Sequence, residues 1–287
     1  MKPASFDYLA PATVGETVAL LAEHGDDASV LAGGQSLVPL MNLRLARPEI
    51  VVDINRVASL DRLAVEPETL RLGATVRLRT LERDPSVAAA LPVLRATTRL
   101  VAHPQIRNRT TIGGSISHAD PSSELPALLV AAGGTVELTG AGGTRRVAAA
   151  DFFHSVFLTD RQPDELLTAV EFPIRDGFHY HVDEVARRDG DFPVAALIVG
   201  IRRNADGTVT GARAAAAGVA DRPVRLPALE RCLVAGGGPE DAADAAVEGL
   251  EPPSDLHASA AYRTSVVRLL TARIVRTLLP GTRGAAA

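Results

Sequence analysis

Two short glycine-rich segments constrain the fold of this 287-residue chain more than any other feature. The first, AGGQS at residues 32–36, lies between the apolar runs SVLAGG and EIVVDI, and the second, TIGGS at residues 111–115, precedes ELPALLVAA. A Gly pair without Cβ atoms can adopt positive φ, expose consecutive N–H groups and let the backbone approach an anion closely. One such pair alone would indicate a tight turn. Two of them, each followed closely by Ser, predict one anion site built from distant parts of the chain.

The residues around the first segment predict a small β-α-β-like unit. Thr13, with Glu16 three residues later, forms a capping-box pattern before VALLAEH, and Gly25 stands where that helix would end. We therefore expect the chain to begin with a helix. SVLAGG and EIVVDI are typical of short buried strands, and SLVPLMNLRLA between them predicts a loop with a short helical turn.

The remaining chain alternates between strand-like and helix-like patterns. TLRLGATVRL and ELLTAVEFP predict strands, TVELTGAGGTRRVAAADFF predicts two strands around a Gly-rich turn, and DEVARRDGDFPVAALIVGIRR predicts a loop entering a long strand. The Ala-rich stretch after Val209 and the terminal ASAAYRTSVVRLLTARIVRTLL indicate strands giving way to helices. Changes of pattern predict three units, at residues 1–57, 58–177 and 178–287.

Composition excludes several classes of function. The 30 basic and 34 acidic residues leave a formal charge of -4, which is not the electrostatic footprint of a nucleic-acid-binding protein. No apolar run approaches the roughly 20 residues of a membrane span, so we expect a cytoplasmic protein. Cys232 is the only cysteine, which excludes an intrachain disulfide and a cysteine-ligated iron–sulfur cluster made by this chain alone. The pair His179 and His181 lacks further ligands, so we predict no metal site.

The glycine segments match neither common phosphate-binding loop. Neither fits GxGxxG after a strand, and the chain contains no GxxxxGK[ST]. No nucleophile-elbow motif occurs either, so we predict no catalytic residues. The diphosphate of a bound dinucleotide suits paired backbone nests, and the hydroxyl groups of Ser36, Thr111 and Ser115 add hydrogen-bond donors.

Several segments together resemble the FAD-binding medium subunit of the molybdenum hydroxylases, the group of xanthine dehydrogenase and carbon monoxide dehydrogenase. The resemblance is carried by AGGQSLVPLMNLRLARPEIVVDINRV, TIGGSISHADPSSELPALLVA, FHSVFLTDRQPDELLTAVEFP, DEVARRDGDFPVAALIVGI and the helical end, in the same order along the chain. It implies an α+β fold: a two-subdomain FAD-binding domain of the vanillyl-alcohol oxidase (PCMH) type, in units 1–57 and 58–177. A C-terminal domain of a small antiparallel sheet and helices would follow in unit 178–287.

The resemblance also implies which residues contact a non-covalent FAD. The two glycine loops would clamp its diphosphate, and Phe192 in GDFP matches an aromatic position against the isoalloxazine. The full set implied is Ala32, Gly33, Gly34, Gln35, Ser36, Val101, Ala102, Thr111, Ile112, Gly113, Gly114, Ser115, Asp120, Glu124, Leu166, Leu167 and Phe192.

Two positions depart from the pattern that the resemblance implies. The family often has Asn where Ser115 stands, which is a mild change. It often has Lys in the segment occupied here by Asp183 and Glu184, and the loss of that cation puts direct reduction of NAD by the flavin in doubt. Arg187 or Arg188 could compensate, although a solvated charge or a salt bridge is the simpler interpretation of both.

The implied function is electron transfer within a larger complex. A large molybdopterin subunit would oxidise the substrate, a small subunit would carry [2Fe–2S] clusters, and this chain's FAD would pass electrons to a final acceptor. The resemblance implies that the three chains assemble as a dimer of heterotrimers. Two alternatives stay open: a self-contained FAD oxidoreductase of the same fold, and a structural subunit without FAD.

Overall fold

A computed structural model describes residues 1–174 and 176–279. The α-helices, α1 to α12 in chain order, are Val14–His24, Leu37–Asn42, Leu78–Arg83, Pro85–Ala90, Pro92–Leu100, Pro104–Arg107, Ile112–His118, Glu124–Ala132, Ala149–Phe152, Pro227–Val234, Pro239–Ala245 and Ala260–Leu278. The strands, β1 to β14 in chain order, are Asp7–Leu9, Ala28–Leu31, Ile50–Asp53, Leu63–Val65, Thr69–Gly73, Thr135–Gly140, Gly143–Ala148, Phe153–Ser155, Leu158–Thr159, Leu166–Pro173, His179–Ala186, Pro193–Arg203, Val209–Ala217 and Val224–Arg225. Short 3₁₀-helices occupy Gly25–Asp27, Ile54–Arg56 and Ala58–Asp61.

The first sheet is parallel, with strand order β1-β3-β2. Helix α1 begins and ends where the capping pattern predicts. Thr13 Oγ1 accepts a 3.1 Å hydrogen bond from the N–H of Glu16, the Glu16 carboxylate accepts one from Ala12, and Gly25 ends the helix at a φ of 50°. The expectation that the chain begins with a helix is wrong, because β1 precedes α1. This three-residue strand forms only by pairing with β3, about forty residues away in sequence.

The second sheet is antiparallel in order β4-β5-β10-β6-β7 and carries the largest core. Of the predicted strand TLRLGATVRL only the first half, Thr69–Gly73, forms a strand, β5, because ladder pairing with β10 ends at Gly73; the second half was wrongly predicted. The segment ELLTAVEFP supplies β10, and the Gly-rich turn joins β6 to β7. Helix α8 is buried on every side, as expected for an apolar helix between layers. Ser123 occupies its N-cap position without a side-chain cap, and Gly133 ends it in the left-handed conformation.

The third sheet, in order β11-β12-β13-β14, separates two cores. Along β12, Ala196 and Ile198 face the core shared with α8, whereas Leu197 and Val199 face the core formed with α10, α11 and α12. The segment DEVA, predicted as loop, instead completes strand β11, because all four of its residues pair with β12. In the described part of the chain, no helix is long and apolar enough to cross a membrane.

Candidate flavin site

The first glycine loop, residues 32–36, connects the end of β2 to α2. The backbone N–H groups of residues 33 to 36 donate no hydrogen bond to any residue that the structure describes. The side chain of Gln35 folds back and donates to the carbonyl oxygen of Gly33 at 3.2 Å, and Gly34 adopts a φ of 72°. This loop therefore presents consecutive unpaired donors, which is the property that a backbone anion site requires.

The second glycine loop opens helix α7 and uses its own amides differently. Thr111 is the N-cap residue, and its Oγ1 accepts a 3.1 Å hydrogen bond from the N–H of Gly114. The N–H of Gly113 donates to Ala74 at 3.0 Å, and that of Ser115 donates to Thr111 at 3.0 Å. This loop therefore contributes a close backbone surface and the Ser115 hydroxyl group more than free amides.

The first loop contacts the backbone just before the second loop. A Cβ atom on Gly33 would lie 2.5 Å from the carbonyl oxygen of Arg109 and 2.9 Å from Thr110 Cα, just before the second loop. A Cβ atom on Gly114 would lie 3.8 Å from the Cβ atom of Ala32 in the first loop. Glycine is required at position 33 because the backbones pass closer than a side chain allows.

A cleft of about 450 Å³ opens between the two loops and continues to the connection between β11 and β12. All the residues implied by the sequence resemblance line this cleft except one. Ile112 lies behind it, with its side chain fully buried in the main core. The lining residues brought together are Ala32, Gly33, Gly34, Gln35, Ser36, Val101, Ala102, Thr111, Gly113, Gly114, Ser115, Asp120, Glu124, Leu166, Leu167 and Phe192.

Buried Arg107 holds the Val101–Ala102 wall of the cleft in place. Its Nη1 donates to the carbonyl oxygens of Ala102 at 2.6 Å and Val101 at 3.0 Å, and its Nε lies 3.2 Å from the Glu82 carboxylate. Ala102 adopts a φ of 46°, which is uncommon for a residue other than glycine. The guanidinium group thus stabilises a strained turn at the cleft surface.

Phe192 lies at the mouth of the cleft and is 61% exposed. It follows Gly190, where a Cβ atom would approach the His103 ring to 2.7 Å, so this part of the C-terminal unit packs tightly against the Val101–Ala102 wall. An aromatic side chain with so much exposed surface contributes little to the core. Its position favours a contact with a bound planar group.

Sequence reasoning missed one cation in the cleft. Among the cleft-lining residues that the structure describes, Arg161 is the one Lys or Arg. Its Nη1 donates to the carbonyl oxygens of Gln162 at 2.8 Å and Glu165 at 2.9 Å, and burial lowers its pKa. Arg161 comes from the loop between β9 and β10, and no spacing in the sequence relates it to the glycine loops.

His118, at the end of α7, is a second residue that the sequence did not identify. It lines the cleft and stacks on Phe157 with a 4.8 Å distance between ring centroids. Burial lowers its pKa, although nearby Asp120 opposes this effect. The ring is therefore neutral at pH 7, so it can offer both a hydrogen-bond donor and an acceptor.

The structure separates Asp183 from Glu184, the acidic pair that departs from the family pattern. Asp183 points away from the cleft and forms an ion pair with Arg273 of α12. Glu184 points towards the main core, where its Oε2 atom is buried without a hydrogen-bond partner among the described residues. The two arginines that could have compensated, Arg187 and Arg188, both lie near Asp191 instead, at 3.5 and 3.8 Å.

Glu184 has a second buried carboxyl group as its neighbour. Glu124, at the start of α8, lines the cleft and is 2% exposed. Burial raises its pKa to about 7, with a further contribution from Asp120. Burial, together with the charges of Glu124, Asp183 and Asp189, raises the pKa of Glu184 to about 8. The pKa values of Glu124 and Glu184 therefore both lie near neutral pH.

The cleft fits a dinucleotide cofactor on structural grounds. It offers unpaired backbone donors at residues 33 to 36, a glycine contact that a Cβ atom would obstruct, and apolar walls at Val101 and Leu166. A polar diphosphate flanked by larger apolar groups requires this combination of a backbone nest and apolar surface.

Family comparisons agree with this geometry. Residues 4–175 match the family described as FAD binding domain in molybdopterin dehydrogenase, and residues 180–278 match the CO dehydrogenase flavoprotein C-terminal domain. The medium chain of carbon monoxide dehydrogenase from Afipia carboxidovorans is 37% identical over 280 residues, covering 96% of this chain and 97% of that protein. Subunit alpha of the 6-hydroxypseudooxynicotine dehydrogenase complex from Paenarthrobacter nicotinovorans is 37% identical, covering 95% of this chain and 94% of that protein.

Solved structures share the whole fold. A chain of quinoline 2-oxidoreductase from Pseudomonas putida superposes with a TM-score of 0.92 at 36% identity, covering 99% of this chain and 100% of that chain. A chain of carbon monoxide dehydrogenase from Hydrogenophaga pseudoflava gives a TM-score of 0.92 at 37% identity, covering 97% of this chain and 99% of that chain. These likenesses confirm the resemblance and the α+β fold that it implied. The chain belongs to the family of FAD-binding medium subunits of the molybdenum hydroxylases.

Proposed function

We propose that the cleft between the two glycine loops binds FAD non-covalently, with the diphosphate against residues 32–36 and 111–115. The observation that carries this proposal is the run of unpaired N–H groups at residues 33 to 36, held against Arg109 by a contact that only glycine permits. The first loop supplies most of the backbone donors. The second loop supplies the Ser115 hydroxyl group and a surface without side chains at Gly113 and Gly114.

The walls of the cleft orient the flavin and adenine ends of the cofactor. Val101, Ala102, Leu166 and Leu167 offer apolar surface, and Phe192 offers an exposed aromatic face at the mouth. Asp120, Glu124 and Arg161 offer polar contacts within the same cleft. Bound FAD would supply the redox chemistry that links an iron–sulfur partner to a final electron acceptor.

The partners of this chain follow from its relatives and from its own composition. Its relatives are named as subunits of multisubunit dehydrogenases. Cys232 is the only cysteine, so an iron–sulfur cluster must belong to another chain. We infer a complex with a large molybdopterin subunit and a small [2Fe–2S] subunit, assembled as a dimer of heterotrimers. The cytoplasmic location and the unit boundaries after residues 57 and 177 stay predictions.

Cofactor analysis of the purified full-length chain tests the FAD site. We expect a yellow protein that releases FAD, and not FMN, on denaturation. A chain that stays free of flavin after saturation with FAD would support the structural-subunit alternative.

Coexpression with its partners tests the electron-transfer role. We expect the three chains to copurify, and the flavin absorbance to fall only when the substrate and both partners are present. Substrate oxidation by the isolated chain, without iron or molybdenum, would support the self-contained oxidoreductase instead.

A further inference from the structure

A chain of hydrogen bonds outside the cleft joins the two glycine loops. It begins at Asp53, the last residue of β3, whose carboxylate accepts hydrogen bonds from the Tyr8 hydroxyl group at 2.5 Å and from the Asn55 N–H at 2.8 Å. Burial raises the pKa of Asp53, but these bonds outweigh burial and lower it. The ionised carboxylate thus fixes the orientation of Asn55.

Asn55 connects this network to the first glycine loop. Its Nδ2 donates to the carbonyl oxygen of Ala32 at 2.9 Å, immediately before Gly33. Its Oδ1 accepts a hydrogen bond from the Nη2 atom of Arg77. The Asn55 side chain therefore binds the first loop through its Nδ2 donor and Arg77 through its Oδ1 acceptor.

Arg77 connects the network to the second glycine loop. While Nη2 binds Asn55, Nη1 donates to the carbonyl oxygen of Arg109, two residues before Thr111. Backbone hydrogen bonds attach the residues on either side of Arg77 to the second loop. The N–H of Leu78 donates to the carbonyl oxygen of Thr110 at 3.0 Å, and the N–H of Ile112 donates to that of Val76 at 3.0 Å. Arg77 is thus placed by the backbone that carries the second loop.

Neither Asn55 nor Arg77 lines the cleft. Yet the carbonyl groups that they hold, those of Ala32 and Arg109, lie directly beside the contact between Gly33 and Arg109. The separation of the two loops is therefore set from behind by this pair. A diphosphate that contacts both loops is sensitive to that separation, whereas a ligand with one phosphate group is less so.

We propose that Asn55 and Arg77 are positioning residues that set the spacing of the two glycine loops and thereby the affinity of the cleft for a diphosphate. This inference rests on the proposed FAD site. It assigns to the planar fork of Arg77 a geometric role that its charge alone could not fulfil, because a Lys ammonium group presents no rigid pair of donors for two separate acceptors.

The test uses the full-length chain freed of flavin, with FAD, ADP and AMP as probes. Arg77→Lys keeps the charge but loses the fork, and Asn55→Ala removes the link to Ala32. We expect each variant to bind FAD and ADP about tenfold more weakly, the size of a lost charge-assisted hydrogen bond. The ratio of ADP to AMP affinity should fall in both. Arg79→Lys is the matched control, since Arg79 pairs with Glu82 and touches neither loop.

Several outcomes would overturn the inference. FAD affinity of Arg77→Lys equal to that of the wild type would mean that charge suffices. Equal losses of affinity for ADP and AMP would indicate a merely structural role. A lowered unfolding midpoint of the apoprotein, with unchanged FAD affinity in the folded fraction, would indicate the same. Because the two residues act as one unit, the double variant should lose no more than about the larger single loss. A wild-type chain that binds no FAD would instead refute the proposed function itself.

Discussion

Gly33 and Arg109 are in backbone contact, so that a Cβ atom at position 33 would lie 2.5 Å from the Arg109 carbonyl oxygen. The contact joins the first sheet region to the second across 76 positions in sequence. It brings the unpaired N–H groups of the first glycine loop beside the second loop. The proposed cofactor site depends on this contact more than on any single side chain.

The first prediction is that Gly33→Ala weakens FAD binding by at least about tenfold, because the added methyl group forces the two loops apart. Fluorescence titration of the apoprotein with FAD measures the loss. Gly114→Ala should have a smaller effect, since its methyl group would lie 2.8 Å from a side-chain atom, the Thr111 Oγ1 that caps α7, and not from a backbone atom. Gly15→Ala, where no atom lies within 4 Å, is the control and should leave FAD affinity unchanged.

The second prediction concerns pH and Glu184. Its raised pKa means that the folded chain keeps a proton that the unfolded chain releases, so stability should fall as pH rises from about 4.5 to about 8. Glu184→Gln removes this penalty. We expect the variant to gain about 1 kcal/mol over the wild type at pH 8.5, a value reduced for the partial exposure of Glu184, and little at pH 5.

Urea unfolding at several pH values measures this effect. Asp183→Asn is the matched control, because Asp183 points to the other side of the sheet and pairs with Arg273. The Asp183 charge contributes to the raised pKa of Glu184 less than burial does, so the control should keep most of the fall in stability with rising pH. A Glu184→Gln profile parallel to that of the wild type would contradict the assignment of a buried proton to Glu184.

The third prediction separates cofactor contact from stability at Phe192. Because its side chain is 61% exposed, Phe192→Ala should change the unfolding free energy by less than about 0.5 kcal/mol. The absorption maximum or the fluorescence intensity of bound flavin should nevertheless differ between this variant and the wild type. Tyr262→Ala, at an exposed position on α12, should change neither quantity. An unaltered flavin spectrum in Phe192→Ala would place the aromatic contact elsewhere.

The fourth prediction concerns the buried cation of the C-terminal unit. Arg263 is 3% exposed, donates to the carbonyl oxygens of Val194 and Gly218, and pairs with Asp255 at 2.6 Å. Arg263→Met leaves these acceptors unpaired and should cost about 3 kcal/mol in urea unfolding. Arg268→Met, which removes an exposed pair with Asp244, should cost less than about 0.5 kcal/mol. Similar losses in both variants would contradict this interpretation.

Local signals in the sequence were sufficient for several elements. Thr13, Glu16 and Gly25 specify the two ends of α1 because the hydrogen bonds of a helix cap span only three or four residues. The alternating and apolar runs likewise predicted β5, β10 and the β6–β7 hairpin. The two Gly pairs, with their neighbouring segments, were specific enough to indicate the family, and all but one of the residues implied by that resemblance line the cleft.

Tertiary structure alone decided the features that depend on residues far apart in sequence. β1 forms only by pairing with β3. Asp183 and Glu184 lie on opposite faces of β11, so that Asp183 pairs with Arg273 whereas Glu184 is buried. Arg161 enters the cleft from a distant loop, and Asn55 meets Arg77 across two sheets. The physical reason is that helix caps and strand periodicity act within a few residues, whereas loop spacing, burial and pKa arise from the packing of whole layers.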